Sequence, residues 1–147
     1  MSDQNSPSYE VFDHSGDTQI KAWGRDCLEA YVNASLGLLN QIVTVDKLDE
    51  AEECSISVSG DDQTDRCVAF LNELLFLIYT KHWIPKRVRL LRECNQTGCS
   101  ELKAVLVGEP LDPSRHEIKY DIKAVTYHDF RIEHSPGQVT ISFVCDL

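Results

Sequence analysis

Two aspartates at opposite ends of the chain carry its strongest chemical suggestion. Asp17 follows the polar turn Asp13-His14-Ser15-Gly16 and opens a strand, whereas Asp146 closes the last strand beside Leu147. If the first and last strands meet, the two carboxylates converge. Two bare carboxylates about 4 Å apart repel by roughly 4 kcal/mol at an effective dielectric of about 20. A cation reverses that penalty, or one carboxyl stays protonated. Oxygen donors without a cysteine or histidine cluster suit calcium or magnesium better than zinc. A terminal carboxylate or a main-chain carbonyl at Leu147 adds a further oxygen. A plainer account competes, in which Asp17 caps a turn and Asp146 is a polar terminus.

The remaining polar residues speak less clearly. Asp13 suits a turn acceptor, and His14 and His128 suit ordinary hydrogen bonding as well as proton transfer. Lys119 and Lys123 could meet an acidic partner or a phosphate, or simply solvate a strand edge. The basic run Lys86-Arg87-Val88-Arg89-Leu90-Leu91-Arg92 lacks interleaved aromatics, so it is a poor nucleic-acid platform and reads as a charged sheet edge. No phosphate loop, G-x-S-x-G or H-E-x-x-H is present.

The elements that must position these residues follow from periodicity. Tyr9 to Phe12 reads as a short strand, and residues 18–23 alternate as a second, with Ile20 and Ala22 on one side. Asp26, with Glu29 three residues later, forms a capping-box start for a helix carrying Leu28, Tyr31, Val32, Leu36, Leu39 and Ile42 on one face. Gly37 weakens that helix and marks a close contact. Cys54, Ile56 and Val58 alternate with serines as a strand with one solvated face. Val68, Leu71, Leu74, Leu75 and Ile78 define a second helix over 62–80, ended before Pro85. Residues 87–93 and 100–107 pair as a hairpin around 95–98. Residues 118–127 and 130–134 read as strands, and Val139, Ile141, Phe143 and Cys145 alternate as the last one. The order predicts an α+β fold, a mixed, largely antiparallel sheet with two helices on one face. Residues 9–147 form one domain behind a disordered tail at 1–8.

Composition narrows the partners. The chain has 147 residues, with 24 acidic against 14 basic and a formal charge of -10. That field repels phosphate backbones and anionic lipid, so neither direct nucleic-acid binding nor membrane association is expected. The N-terminus lacks the apolar core of a signal peptide, and no window approaches the run of about 18 apolar residues that a span needs. The six cysteines include no C-x-x-C and read as scattered buried thiols, although Cys94 and Cys99 could face each other across the hairpin.

Four segments in this order resemble the archease family along nearly the whole chain. They are Asp13-His14-Ser15-Gly16-Asp17 with Ile20, Ala22, Trp23 and Gly24; Leu71-Asn72-Glu73-Leu74-Leu75; Gly108-Glu109-Pro110-Leu111-Asp112-Pro113 with His116; and Lys123-Ala124-Val125-Thr126-Tyr127 with Asp146-Leu147. The first usually reads Asp-His-Thr-Ala-Asp in the family, and Ser15 and Gly16 replace the middle pair here. The resemblance implies a cation site built from Asp17, Asp146 and Leu147, with calcium expected and magnesium or manganese as alternatives. It implies a non-enzymatic cofactor of an RtcB-type RNA ligase, which promotes the ligase's guanylylation and repeated turnover in tRNA splicing. Asp13, His14, Lys119 and Lys123 are then the candidate contacts to that partner. A monomer working in cytoplasm, nucleus or both is expected. Two other classes compete: a metal-dependent hydrolase with His14 or His128 as base, and a general chaperone or adapter without a metal.

Overall fold

The computed structural model describes residues 8–14 and 16–147, so the tail expected at 1–8 lies, except for Ser8, outside the described residues. The chain forms β1 (Tyr9–His14), β2 (Asp17–Gly24), α1 (Cys27–Ile42), β3 (Glu52–Ser59), α2 (Gln63–Tyr79), β4 (Trp83–Gln96), β5 (Cys99–Pro110), β6 (Ala124–Val125), β7 (Arg131–Ser135) and β8 (Gln138–Asp146). The α+β class holds. The strands divide into two sheets, ordered β1-β2-β8-β6 with β7 also on β8, and β3-β5-β4. All the pairings are antiparallel. Helix α1 packs on β1, β2 and β8 and also on β4, while α2 packs on β3, β4 and β5 and also on β6, so the helices tie the two sheets together.

Both helices begin alike. A glycine closes or directly follows the strand (Gly24 in β2, Gly60 after β3), and an aspartate two residues on caps the helix: Asp26 accepts from the Glu29 amide at 2.9 Å and Asp62 from the Asp65 amide at 2.8 Å. The expected capping box is altered. Glu29 turns back one residue further, accepting the Arg25 amide at 3.0 Å and pairing with its guanidinium at 2.9 Å. The close contact at Gly37 is real, since a Cβ there would lie 3.1 Å from both Ile20 Cγ2 and Tyr9 Cγ. Gly108 is under a stricter demand. Its Cβ would meet the Ile84 carbonyl oxygen at 2.1 Å, where β4 crosses close to β5 before two register shifts.

Two expectations need correction. Residues 118–127 are not a strand except at Ala124–Val125. Their alternation of apolar residues mimics a strand, but their amides are met singly: Lys119 by the Ile42 carbonyl at 2.7 Å, Ile122 by the Tyr79 hydroxyl at 3.2 Å, and Lys123 by the Asp146 carbonyl at 2.8 Å. The cysteines are not all thiols either. Cys94 and Cys99 form a disulfide across the β4–β5 turn, with their Cα atoms 5.7 Å apart. Cys67 and Cys145 are buried thiols, and burial pushes Cys145 up to about 12. The basic run is indeed on an edge strand, β4, with Arg87 and Arg89 paired to Glu50 and Glu53.

Candidate functional site

The first and last long strands do meet. Along β2 the alternate residues Thr18, Ile20 and Ala22 are buried, and along β8 so are Val139, Ile141, Phe143 and Cys145. These side chains face the helices. Asp17 and Asp146 have the opposite parity, so both lie on the far face of the sheet. They are also direct partners in the β2–β8 register. Side chains opposed in this way have Cβ atoms about 4.5–5.5 Å apart. Asp17 is half-buried and Asp146 exposed. Among the described residues no lysine, arginine or histidine pairs with either carboxylate.

The neighbours of this pair are set by the same strand ends. Leu147 is half-buried and packs on the core, which fixes its main-chain oxygens next to Asp146. The Lys123 amide donates to the Asp146 carbonyl at 2.8 Å, and Ala124 registers opposite Asp146. Asp13 goes elsewhere: it registers with Thr18, on the helix-facing side, and accepts from its hydroxyl at 3.2 Å. The His14 backbone registers opposite Asp17, but its side chain lies outside the described residues. His128 is exposed and its Nε2 faces Asp129 Oδ2 at 3.2 Å, so no contact ties it to the pair. Lys119 sits apart from Lys123, at the C-terminal end of α1.

What the register brings together is two carboxylates, Asp17 and Asp146, and carboxylate oxygens suit a hard cation. Among the described residues no three His, Cys, Asp or Glu side chains gather around one point. No helix among the described residues is long and apolar enough to cross a membrane.

The sequence profile of the Archease protein family (MTH1598/TM1083) matches residues 9–147. The chain belongs to the archease family. Its sequence is 34% identical over 140 residues to the archease of Thermococcus kodakarensis, covering 95% of this chain and 98% of that one. It is 33% identical over 143 residues to the archease-like protein of Dictyostelium discoideum, covering 95% and 93%. Among solved structures, protein 1598 of Methanobacterium thermoautotrophicum superposes with a TM-score of 0.82 at 24% identity, covering 97% of this chain and all of that one. An archease from Thermotoga maritima, described as a possible chaperone, superposes with a TM-score of 0.67 at 24% identity. These two likenesses show the archease fold.

A second polar cluster was only partly visible in the sequence. Glu109, buried on β5, accepts the Asp49 amide at 2.7 Å and Arg115 Nη1 at 2.7 Å. His116, also buried, holds its Nε2 3.1 Å from Glu109 Oε2. Arg115 had escaped notice, although its place one residue before His116 in a tight turn was the available signal. Burial alone would raise the Glu109 carboxyl, but the Asp49 amide, the Arg115 guanidinium and His116 outweigh it and hold the group down to about 2, from an ordinary 4.5. A carboxylate with a depressed folded-state value stabilises the fold above its unfolded value. Its contribution is therefore complete above pH 4.5 and drains away toward pH 2. Glu109→Gln is expected to flatten this part of the acid-unfolding curve, leaving a residual slope from other paired carboxylates. Urea midpoints measured across that window check the result, and an unchanged slope contradicts it.

Proposed function

We propose that this archease-family chain is an accessory protein of an RtcB-type RNA ligase, without covalent chemistry of its own. In this reading it promotes guanylylation of the ligase and so sustains turnover in tRNA splicing, in cytoplasm, nucleus or both. The observation that supports it best is the Asp17–Asp146 pair, side by side on the sheet face turned from the helices. Asp17, Asp146 and Leu147 would hold a divalent cation, calcium first and magnesium or manganese as alternatives. When bound, the cation supplies a Lewis-acidic charge at the protein surface. The chain's own residues give it an address: β2 and β8 fix the carboxylates, and Leu147 anchors the strand end. Lys123, hydrogen-bonded through its amide to Asp146, carries a positive charge beside the pair for an acidic or phosphate-bearing partner surface. Asp13, His14 and Lys119 remain candidate contacts on the margins of the same end.

The competing classes have less support. A hydrolase needs a base at the metal, and His128 faces Asp129 instead. A client-holding chaperone needs a contiguous apolar surface. Among the described residues the large exposed apolar side chains are Phe12, Leu28, Phe76, Leu90, Ile118, Tyr120 and Tyr127, spread over several elements. The test is the transfer of labelled GMP to purified ligase, with and without this chain. Stimulation that disappears with chelator, and returns with calcium, is expected. Equal guanylylation in the presence and absence of the chain rejects the proposal.

A further inference from the structure

Strand β3 is a sheet edge without the usual protection. It pairs with β5 on one side, and among the described residues no strand lies on the other. Natural sheets guard such edges with charge, proline or a bulge. The opposite edge of the same sheet, β4, has all three: Pro85, the arginines at 87, 89 and 92, and two register shifts. From Cys54 to Ser59, β3 has none of them, and its register with β5 is unbroken. The Gly60 amide donates to the Ser100 carbonyl at 3.2 Å, in step with that register. Pairs bonded in this way alternate along an antiparallel ladder. Cys54, Ile56 and Val58 therefore turn their main-chain groups to β5, whereas Ser55, Ser57 and Ser59 turn theirs to the open side. All three serines are exposed.

The cover over the sheet stops short at the same margin. On the helix-facing side Leu102, Ala104 and Leu106 of β5 are buried, but their β3 partners Val58, Ile56 and Cys54 are only half-buried. Helix α2 stands beside them. Burial first, and then the nearby Glu73 carboxylate of α2, raise the Cys54 thiol above its ordinary value. Phe76, three residues on and so a neighbour of Glu73 on the helix surface, is 43% exposed. A strand added to β3 would close over Ile56 and Val58 and complete the cover.

Charge selects the occupant. Glu52 stands at one end of β3, and Asp61 and Asp62 lie just past the other. All three are exposed, and none has a cationic partner among the described residues. Pairing β3 with the β3 of a second copy is disfavoured in both directions. Antiparallel pairing brings Glu52 toward Asp61 and Asp62, parallel pairing brings each acid toward its own copy, and like charges across strands repel. The cation opposite β3 in the register is Lys103, and it lies 3.7 Å from Glu101. We propose that the free edge of β3 docks an extended segment of a partner protein, uncharged and β-branched in its middle and basic at its ends. The segment pairs its main chain with Ser55, Ser57 and Ser59, lays an apolar side chain over Ile56 and Val58, and sets Lys or Arg against Glu52 and against Asp61 and Asp62. The site is on the other sheet from Asp17 and Asp146 and does not rest on the ligase reading.

The experiment selects a displayed library of random short peptides on the immobilised full chain. Enrichment of alternating β-branched sequences flanked by lysine or arginine is expected. The enriched peptide, added to the full chain, is expected to slow hydrogen exchange of the Ser55, Ser57 and Ser59 amides about tenfold while leaving the β4 edge unchanged. Ser57→Pro is the sharpest variant. The Ser57 amide points away from β5, so proline is tolerated there, yet it removes a donor and blocks the approach. Peptide binding about tenfold weaker is expected, with the β3–β5 amides still protected. Glu52→Gln with Asp61→Asn leaves the main chain untouched, and is expected to weaken binding similarly and to flatten its salt dependence. No enrichment, enrichment of acid-flanked peptides, serine amides that exchange as before, or full binding by both variants overturns the site. A dimer seen by sedimentation and abolished by Ser57→Pro would assign the edge to a second copy instead, and overturns the basic partner.

Discussion

Alanine at position 93 is expected to lower the unfolding free energy by about 3–5 kcal/mol, the range for breaking a buried ion pair from one side. Arg66, on α2, is 1% exposed, and its Nε donates to Glu93 Oε2 at 2.9 Å. The buried Tyr31 hydroxyl on α1 donates to the same oxygen at 3.0 Å. One carboxylate on β4 therefore satisfies a group from each helix. Removing it leaves a charged guanidinium with the Gly60 carbonyl at 3.2 Å as its remaining partner, and orphans the tyrosine. The control separates charge from packing. Arg66→Met with Glu93→Leu and Tyr31→Phe removes the three side-chain groups that pair with one another and gives up only the Gly60 carbonyl contact, so it is expected to recover most of the loss. Urea denaturation of the single and triple variants reads both. A loss below about 1 kcal/mol in Glu93→Ala, or a triple variant no better than the single, would show that the pair is not what holds the helices to the sheet.

This buried pair also marks the boundary of what a sequence discloses. The helices were legible because their determinants are local: Asp26 and Asp62 cap them, and Leu71, Leu74, Leu75 and Ile78 recur at helical spacing. The alternation in β2, β3 and β8 was equally local. Strand ends were not, because β4 runs from Trp83 to Gln96 through two register shifts and the two-sheet division depends on distant pairings. At 118–127 the alternating pattern misled, since hydrogen-bond partners outside the segment decided its conformation. Nothing local in α2 marks Arg66 as buried, because its partner Glu93 stands 27 residues away in the chain. Likewise Asp17 and Asp146 could be nominated by residue type, yet only the β2–β8 register brings them together. Lys119 passed for a strand-edge lysine until its amide was found on the Ile42 carbonyl at the end of α1.

The register at Asp17 and Asp146 leads to the second large effect, a non-additive one. A cation shared by two carboxylates disappears when either is lost, whereas two independent surface aspartates contribute separately. If the pair holds calcium as proposed, calcium at about 100 times its dissociation constant is expected to stabilise the folded chain by about 2.7 kcal/mol, read as a raised Tm. Asp17→Asn and Asp146→Asn are each expected to abolish that rise, and the double variant to lose nothing more. The same pattern is expected in ligase stimulation, with each single variant falling at least tenfold and the double variant matching them. Stability in chelator is the internal control. Asparagine keeps the shape and removes the repulsion between the two carboxylates, so each variant should be as stable as the parent or slightly more so. Because Asp13 lies on the opposite side of the sheet, Asp13→Asn is expected to retain the calcium response. Additive losses at positions 17 and 146, or a full calcium response in either single variant, would mean that the two strand ends do not share a cation. Loss of the response with ligase stimulation intact would instead separate the metal from the activation it is proposed to support.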